Sequence, residues 1–330
     1  MRLQFVISNQ TNPYWNIAVE NHLLSLPESE VVTLYLWKNR RTVVIGQNQN
    51  PFSECNVEAL EADGGFLMRR KTGGGAVYHD DGNINFSFVV PKALYDQTRQ
   101  FSVIQRAVLD FGIVAELSGR NDLLAIECDR SGATDASKEG RKFSGNAFSK
   151  GKYQDLHHGT ILIKGNMEDL QRYLKPKPAK LQKHGVASVR SRVVNLSELN
   201  AEITSESIVP HLRNAFEEVY GGKATEVGFD DIIARPEVQR LYEEFASPEW
   251  KYGRWRTFTA QRSAQFDWGG VEVSLDIDNG IIRDVQIASD ALDLAALDAV
   301  RQKLTGATVE AAPVSCDNPI ERDIYNLLFK

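Results

Sequence analysis

Three consecutive glycines, Gly73, Gly74 and Gly75, lie between two stretches that read as β-strands, residues 66–70 and 83–90. Without Cβ, glycine opens backbone paths closed to other residues, and it is a poor choice inside either a helix or a strand. The chain must therefore break and turn here, leaving amide N–H groups uncovered enough for an anion to approach. Arg69, Arg70 and Lys71 directly precede the triplet and would supply charge for phosphate oxygens, arginine as the bidentate partner. Neither G-x-x-x-x-G-K-[ST] nor G-x-G-x-x-G occurs at this loop, so the common nucleotide-binding strings are absent. On spacing alone, a tight hairpin loop flanked by solvated basic side chains fits as well.

Around the loop, strand-like and helix-like patterns mix without strict βαβ alternation, which predicts an α+β chain on a mixed sheet. Trp15, Ala18, Val19, His22 and Leu23 recur at helical spacing behind Asn12 and Pro13, a cap and an early-turn proline. Residues 31–37 (VVTLYLW) and 42–45 (TVVI) are expected to be two strands joined by a polar turn. Residues 53–63 suit a short helix ended by Gly64 and Gly65. In residues 83–90, Asn85, Ser87 and Val89 alternate with Phe86, Phe88 and Val90, the pattern of a partly exposed strand. A helix is expected near 101–111, strands at 123–127, 142–147 and 159–163, and helices near 208–219 and 238–245. The small, polar stretch 129–140 predicts a mobile loop between two of these strands.

A chain of 330 residues is long for one core and suits two. Residues 247–254, interrupted by Pro248 and Gly253, are the expected linker. They separate a large domain, residues 1–246, from a small α/β domain, residues 255–330. In the latter, strands at 266–277 and 281–288 flank Asn279-Gly280, a strong hairpin signal, and Leu297, Val300 and Leu304 mark a helix. There is no internal repeat. A net charge of -6 argues against nonspecific nucleic-acid binding, which needs a basic face. The opening residues lack a basic segment followed by an apolar one, and no apolar run approaches the roughly 20 residues of a membrane helix. With three widely spaced cysteines, Cys55, Cys128 and Cys316, expected to be ordinary reduced side chains, a cytoplasmic protein with no membrane partner is expected.

The string RRKTGGGAVYHDDGN at residues 69–83 resembles the signature of lipoate–protein ligases. Downstream, GRNDL (119–123), GRKFSGNA (140–147), HHGTILI (157–163) and KHGVASVRSRVVNL (183–196) follow in the order and approximate spacing of that family. Weaker likeness extends through NPYWNIAVE near the start and FDWGGVE near the end, so the resemblance covers nearly the whole chain. It implies a large catalytic domain related to biotin ligases and a small carboxyl-terminal domain. It further implies activation of lipoate by ATP with Mg2+ to lipoyl-AMP, then transfer to a lysine of lipoyl domains, those of E2 subunits and the glycine cleavage H protein, by a monomeric enzyme.

By the same resemblance, Lys142 aligns with the family's essential lysine, a fixed cation between carboxylate and α-phosphate. Arg70 and the backbone of Gly75, Ala76, Val77 and Tyr78 would hold the ATP phosphates and the adenine side. Asp122 would orient Lys142 or help hold Mg2+, although an Asp serving a turn beside Asn121 reads equally well. Lys142, Gly74, Gly75, His79, Asn83 and His158 would line the lipoate site, with core packing an equal reading for the histidine and asparagine. His157 and His158 point to opposite faces of a strand and make a poor shared metal site, so one of them faces the site. Arg190 and Arg192 would close over phosphate or form a surface strip, and residues 129–140 would act as a lid. An ATP-independent transferase of the same fold would need a cysteine after the HHG motif, and none occurs between His158 and Ser315. A biotin ligase would need a GRGR-type loop, also missing, and a noncatalytic lipoate-binding protein remains the third reading.

Overall fold

The structure is a computed structural model that describes residues 1–119, 121–126, 140–175, 193–252, 260–278, 281–308 and 317–329. Fourteen strands are present among them: β1 (Arg2–Ile7), β2 (Val31–Trp37), β3 (Thr42–Ile45), β4 (Phe66–Arg69), β5 (Val77–His79), β6 (Asn83–Pro91), β7 (Val114–Ser118), β8 (Asp122–Ile126), β9 (Arg141–Lys150), β10 (Gln154–Leu162), β11 (Ala224–Glu226), β12 (Ala260–Phe266), β13 (Gly269–Asp278) and β14 (Ile281–Ser289). Eight of them form one sheet in the order β11-β1-β2-β6-β10-β9-β8-β7. β1 runs parallel to both neighbours, and the remaining pairs are antiparallel. The sheet is therefore mixed, as the sequence predicts.

Both faces of this sheet are covered. On one, the helices Gln97–Leu109 and Ile208–Tyr220 bury Leu34, Phe86, Phe88, Ile104 and Phe216. On the other, the helices Pro13–Ser25 and Pro236–Ala246 pack over Tyr35, Trp37 and Val89. The long helices begin and end where the sequence places caps. Asn12 Oδ1 accepts from Tyr14 N at 3.0 Å, and Gly221 closes Ile208–Tyr220 in the left-handed region at φ 71°, which glycine adopts without strain. The alternation in β6 is real, but every residue from Asn83 to Pro91 is buried: its polar face lies under a helix rather than in solvent.

The stretches 31–37 and 42–45 do not pair as a hairpin. β2 joins the large sheet, while β3 is the centre of a small three-stranded sheet, β4-β3-β5. Residues 53–63 hold two short helices, Pro51–Glu54 and Val57–Ala62. β12, β13 and β14 form a third sheet, packed on the helices Leu294–Leu304 and Pro319–Phe329. The expected strand 266–277 corresponds to β13, which starts at Gly269, and only Phe266 of it belongs to β12. Within the expected linker, Pro248–Tyr252 is helical, and the Trp250 indole donates to Arg69 O at 2.8 Å. The sequence pattern does not mark β1, β5, β7, β11 or β12, which are short or weakly patterned. Cys55 is buried, which pushes its thiol up to about 12; Cys128, Cys316, the Asn279-Gly280 turn, residues 129–139, Arg190 and Arg192 lie outside the described residues. Among the described residues no helix is long and apolar enough to cross a membrane.

Candidate active site

The glycine segment connects β4 to β5 and folds over the β2–β6–β10 part of the large sheet. It sits closely on its surroundings: a Cβ on Gly46 would lie 2.4 Å from Gly74 O, and one on Gly73 would lie 2.3 Å from Ala291 O. Gly74 itself has φ 91°, a conformation that side chains strain against. Two buried arginines hold the segment in place. Arg70 donates to Thr72 Oγ1 (2.9 Å), to Gly73 O (2.7 Å) and to Gly75 O (2.8 Å). Arg69 donates to Gln49 O (2.7 Å), Gln47 O (2.9 Å), Trp250 O (2.9 Å) and Lys251 O (2.9 Å). Burial lowers both guanidiniums to about 10, still charged at neutral pH. Lys71 turns away toward Glu244 at 3.6 Å and lies over the rings of Phe245 and Trp250.

Under the segment lies a cavity of ≈ 320 Å³ whose lining includes Arg70, Gly74, Gly75, Ala76, Val77, His79, Asp122, Lys142 and His158. The two motifs GRNDL and GRKFSGNA meet at its edge, where Lys142 Nζ lies 2.7 Å from Asp122 Oδ1. A bulge between β8 and β9 makes this contact possible. Asp122 pairs with Gly145, but Leu124 pairs with Lys142, so one extra residue of β9 sits between the two pairs. In a regular strand, residues three apart face opposite sides; the bulge brings Lys142 and Gly145 to the same side, a recognised way of re-aiming a side chain. A Cβ on Gly145 would lie 3.0 Å from Lys142 Nζ and 3.1 Å from Cε, so any side chain there would push the lysine's end aside.

His157 and His158 do point to opposite faces. His157 is enclosed in the aromatic core between Gln100 Oε1 (2.9 Å) and Asn146 Oδ1 (3.0 Å), where burial holds it well below the ordinary histidine value. His158 lines the cavity, with Nδ1 2.8 Å from the Glu20 carboxylate and Nε2 3.0 Å from Thr72 Oγ1. Glu20 also accepts from Ser87 Oγ at 2.5 Å, so a buried carboxylate is linked through His158 and Thr72 to Arg70 and hence to the glycine segment. His79 lines the cavity beside Trp37, their ring centroids 6.2 Å apart. Burial, reinforced by Arg70 and His158, lowers its imidazole to about 3.

Two expected site residues are placed elsewhere. Asn83 is buried but donates to Asn85 Oδ1 at 3.0 Å, and it is Asn85 that lines the cavity. The Tyr78 side chain points into the small sheet's core against Tyr173, its hydroxyl on Asp169 at 3.2 Å, and Tyr78 is not among the residues that line the cavity. Sequence reasoning missed Trp37, Asn85, Asn121, Gly145 and Asn146, all in the lining, and Glu20 behind it. Asn121, Gly145 and Asn146 stand inside the quoted motifs, so their signal was present; Trp37 and Glu20 carry none that distinguishes them from core residues. The carboxyl-terminal module also reaches the site: Ser289 N donates to Asn48 O at 2.8 Å, Gly74 N to Ala291 O at 3.3 Å, and Asp290 joins the lining.

The family model for the lipoyl protein ligase A/B catalytic domain matches residues 12–217, and that for the bacterial lipoate protein ligase C-terminus matches residues 256–315. A lipoate-protein ligase A of Psychrobacter cryohalolentis is 39% identical over 311 residues, 92% of this chain and 88% of that protein. P. falciparum LipL1, solved in complex with lipoate, is 29% identical with a TM-score of 0.82, covering 99% of both chains. A lipoate-protein ligase A bound with ATP shares the fold at 23% identity and a TM-score of 0.60, covering 76% of this chain and 98% of that one. With matches to both parts of the chain, and with the glycine segment, GRNDL, GRKFSGNA and HHGTILI each lining one cavity, the chain belongs to the lipoate–protein ligase A family of enzymes.

Proposed function

We propose that this chain activates lipoate with ATP and passes the lipoyl group to a lysine of lipoyl domains, those of 2-oxoacid dehydrogenase E2 subunits and the glycine cleavage H protein, in the cytoplasm and as a monomer. The observation that carries the reading is the Lys142–Asp122 pair at one edge of a cavity whose other lining includes Ile17, Trp37, Val44, Met68 and Val77. That combination suits an acid with an apolar tail: an apolar slot for the chain and one placed cation for its charged end. The P. falciparum relative holds lipoate and a fold relative holds ATP, which is consistent with both substrates meeting here.

In the first step a carboxylate oxygen attacks the α-phosphorus, and pyrophosphate leaves with the electrons of the broken P–O bond. Two anions approach each other, so a preorganised cation between them lowers the barrier. Lys142, oriented by Asp122, is proposed for this role. Backbone of Gly74, Gly75, Ala76 and Val77 would face the nucleotide. Arg70 lines the cavity while its donors reach the Thr72 hydroxyl and the carbonyls of Gly73 and Gly75, so in this reading it shapes the phosphate-facing backbone. In the second step the acceptor lysine, as the free amine, attacks the acyl carbon, loses its proton and expels AMP; positioning supplies much of this rate.

Mg2+ would enter with the nucleotide. Among the described residues no group of three or more His, Cys, Asp or Glu is placed for a metal, and Asp122 is bonded to Lys142. These side chains do not make a resident magnesium site, which agrees with an ion held mainly by phosphates and water. Among the described residues the lining contains no cysteine, and no cysteine follows the HHG motif before Cys316, so a thioester relay is not our reading. The division into residues 1–246 for catalysis, 247–254 as connection and 255–330 as accessory domain remains our proposal. Lipoate-dependent exchange of pyrophosphate into ATP tests the whole reading; a purified, folded chain without such exchange would refute it.

A further inference from the structure

We infer that a buried chain of hydrogen bonds, crossing from the helices on one face of the large sheet to the edge of the cavity, aims the Asp122–Lys142 pair, with His157 as its positioning residue. His157 stands among Phe86, Phe88, Phe101 and Phe148, whose ring centroids lie 4.7–5.8 Å from its own. If packing were its only task, an apolar side chain of similar size would serve this core at least as well. Its two nitrogens instead join Gln100, on the helix Gln97–Leu109, to Asn146, on β9.

The sense of the chain follows from its far end. Asn146 Nδ2 lies 2.9 Å from Asn121 O. A carbonyl only accepts, so that atom is the amide nitrogen, and the oxygen, Oδ1, faces His157 Nε2 at 3.0 Å. Nε2 therefore carries a proton. Burial keeps the ring neutral, so Nδ1 accepts, and the Gln100 atom 2.9 Å from it has to be a nitrogen. With the oxygen there, Gln100 Nε2 and the Tyr220 hydroxyl are both buried without a partner. Turning the amide over gives Nδ1 its donor and presents the Gln100 oxygen to the adjacent Tyr220 hydroxyl. Donation then runs one way, from Tyr220 through Gln100, His157 and Asn146 to Asn121, and each of these buried groups is satisfied.

The last link acts on the site. Asn146 N and Nδ2 both donate to Asn121 O, at 3.0 and 2.9 Å, and Asn121 Nδ2 donates back to Asn146 O at 2.7 Å. This clamp adjoins the Asp122–Gly145 pair, next to the register shift that brings Leu124 opposite Lys142. A bulge interrupts the ladder, and here side-chain amides brace the strands beside it. The glycine of the HHG motif makes room for the clamp: a Cβ on Gly159, opposite Asn146 on β10, would lie 2.3 Å from Asn146 Oδ1. Without the His157 donor, Oδ1 is buried and unpaired, the amide turns or shifts, and the strand ends that carry Asp122 and Lys142 loosen with it. A misplacement of about 1 Å in a reacting group can cost on the order of 10²-fold in rate.

The inference rests on the role proposed for Lys142, and the experiment separates the two. Glutamine at position 157 can place its nitrogen where Nε2 lies, whereas asparagine is too short to reach Asn146 and keeps only the Gln100 contact. Lipoate-dependent ATP–pyrophosphate exchange and calorimetry are measured for the native chain, His157→Gln and His157→Asn, each with Lys142 and with Lys142→Ala. With Lys142 present, His157→Asn is expected to lower kcat by about tenfold or more, KM for lipoate changing by less than about threefold, while His157→Gln keeps at least about half of kcat. With Lys142→Ala, His157→Asn should lower kcat by less than about twofold, since effects that act through one residue do not add. Equal kcat in the two variants, a loss confined to KM, or the same fold loss in both backgrounds would overturn the positioning role while leaving lipoate activation intact. If His157→Asn does not fold, His157→Met, which fills the space without a donor, takes its place in each comparison; failure of both to fold would assign the chain to stability instead. A native chain without exchange refutes the proposed function itself.

Discussion

Replacing Lys142 by alanine separates its chemistry from its contribution to folding. The ammonium lies 2.7 Å from Asp122, yet the two side chains keep 38% and 34% of their surface exposed. A pair so open to water contributes about 1 kcal/mol or less, equivalent to a fall in Tm of roughly 2–4 °C for a chain of this size. In the adenylation step the same charge would face a carboxylate and an α-phosphate together. Loss of one preorganised group of this kind costs on the order of 10²–10³ in rate, about 3–4 kcal/mol. Because Asp122 would remain as a lone negative charge, the loss should fall at the upper end, and a Lys142→Ala, Asp122→Ala double variant should recover part of it. The assay is lipoate-dependent ATP–pyrophosphate exchange alongside calorimetry on the same samples. Exchange above about a tenth of native, or a fall in Tm several times the stated range, would show that the side chain is a structural element.

Gly145→Ala places a methyl group 3.0 Å from Lys142 Nζ, so exchange activity should fall about tenfold or more while the Tm changes by a few degrees at most; unchanged exchange would remove Gly145 from the argument. Arg70→Met leaves the carbonyls of Gly73 and Gly75 and the Thr72 hydroxyl short of a buried donor, and a loss of about 3–5 kcal/mol in denaturant unfolding is expected. A loss under about 1 kcal/mol would mean the loop does not depend on it. His79, lowered to about 3 by burial, binds no proton when folded at mildly acidic pH but does when unfolded. Its contribution is therefore complete above the unfolded value near 6.5 and shrinks as pH falls, by about 2 kcal/mol at pH 5. The fall in stability between pH 7.5 and 5 should be smaller by that amount in His79→Phe, and an unchanged slope would contradict the burial assigned to the ring.

Much of the fold is legible because burial leaves a period in the sequence. Residues 31–37 and 42–45 match β2 and β3 to the residue, since runs of β-branched and large apolar side chains have few alternatives to a covered strand. Their partnership was not legible, because a four-residue polar gap is compatible with a hairpin and with divergence into two sheets. β6 shows a deeper limit. Asn85 and Ser87 alternate with phenylalanines as solvent-facing residues do, but both are buried, Asn85 in the cavity lining and Ser87 against Glu20. Period alone reports which face is polar, and a polar face can be wet or can be the wall of a site. The bulge that unites Lys142 with Gly145 was equally invisible, because an inserted residue in a strand alters no composition.

The arginines next to the glycines carry the more general point about charge. A sequence reading assigns Arg69 and Arg70 to phosphate because they adjoin an anion-sized loop, yet each is occupied by backbone carbonyls of neighbouring turns. The charged side chains among the described lining, Arg70, Lys142, Asp122 and Asp290, then sum to a formal charge of zero. A nucleotide with several negative charges is poorly matched to a neutral wall, so further positive charge has to come from the ion that accompanies ATP and from the remaining chain. Residues 176–192 hold five basic residues, Lys177, Lys180, Lys183, Arg190 and Arg192, and no acidic one. That stretch ends at Val193, which bridges Lys142, with Val194 N donating to Lys142 O at 2.9 Å. The basic stretch itself lies outside the described residues. By this reasoning the adjacent arginines hold the shape of the loop, and the described lining alone does not balance the charge of a nucleotide.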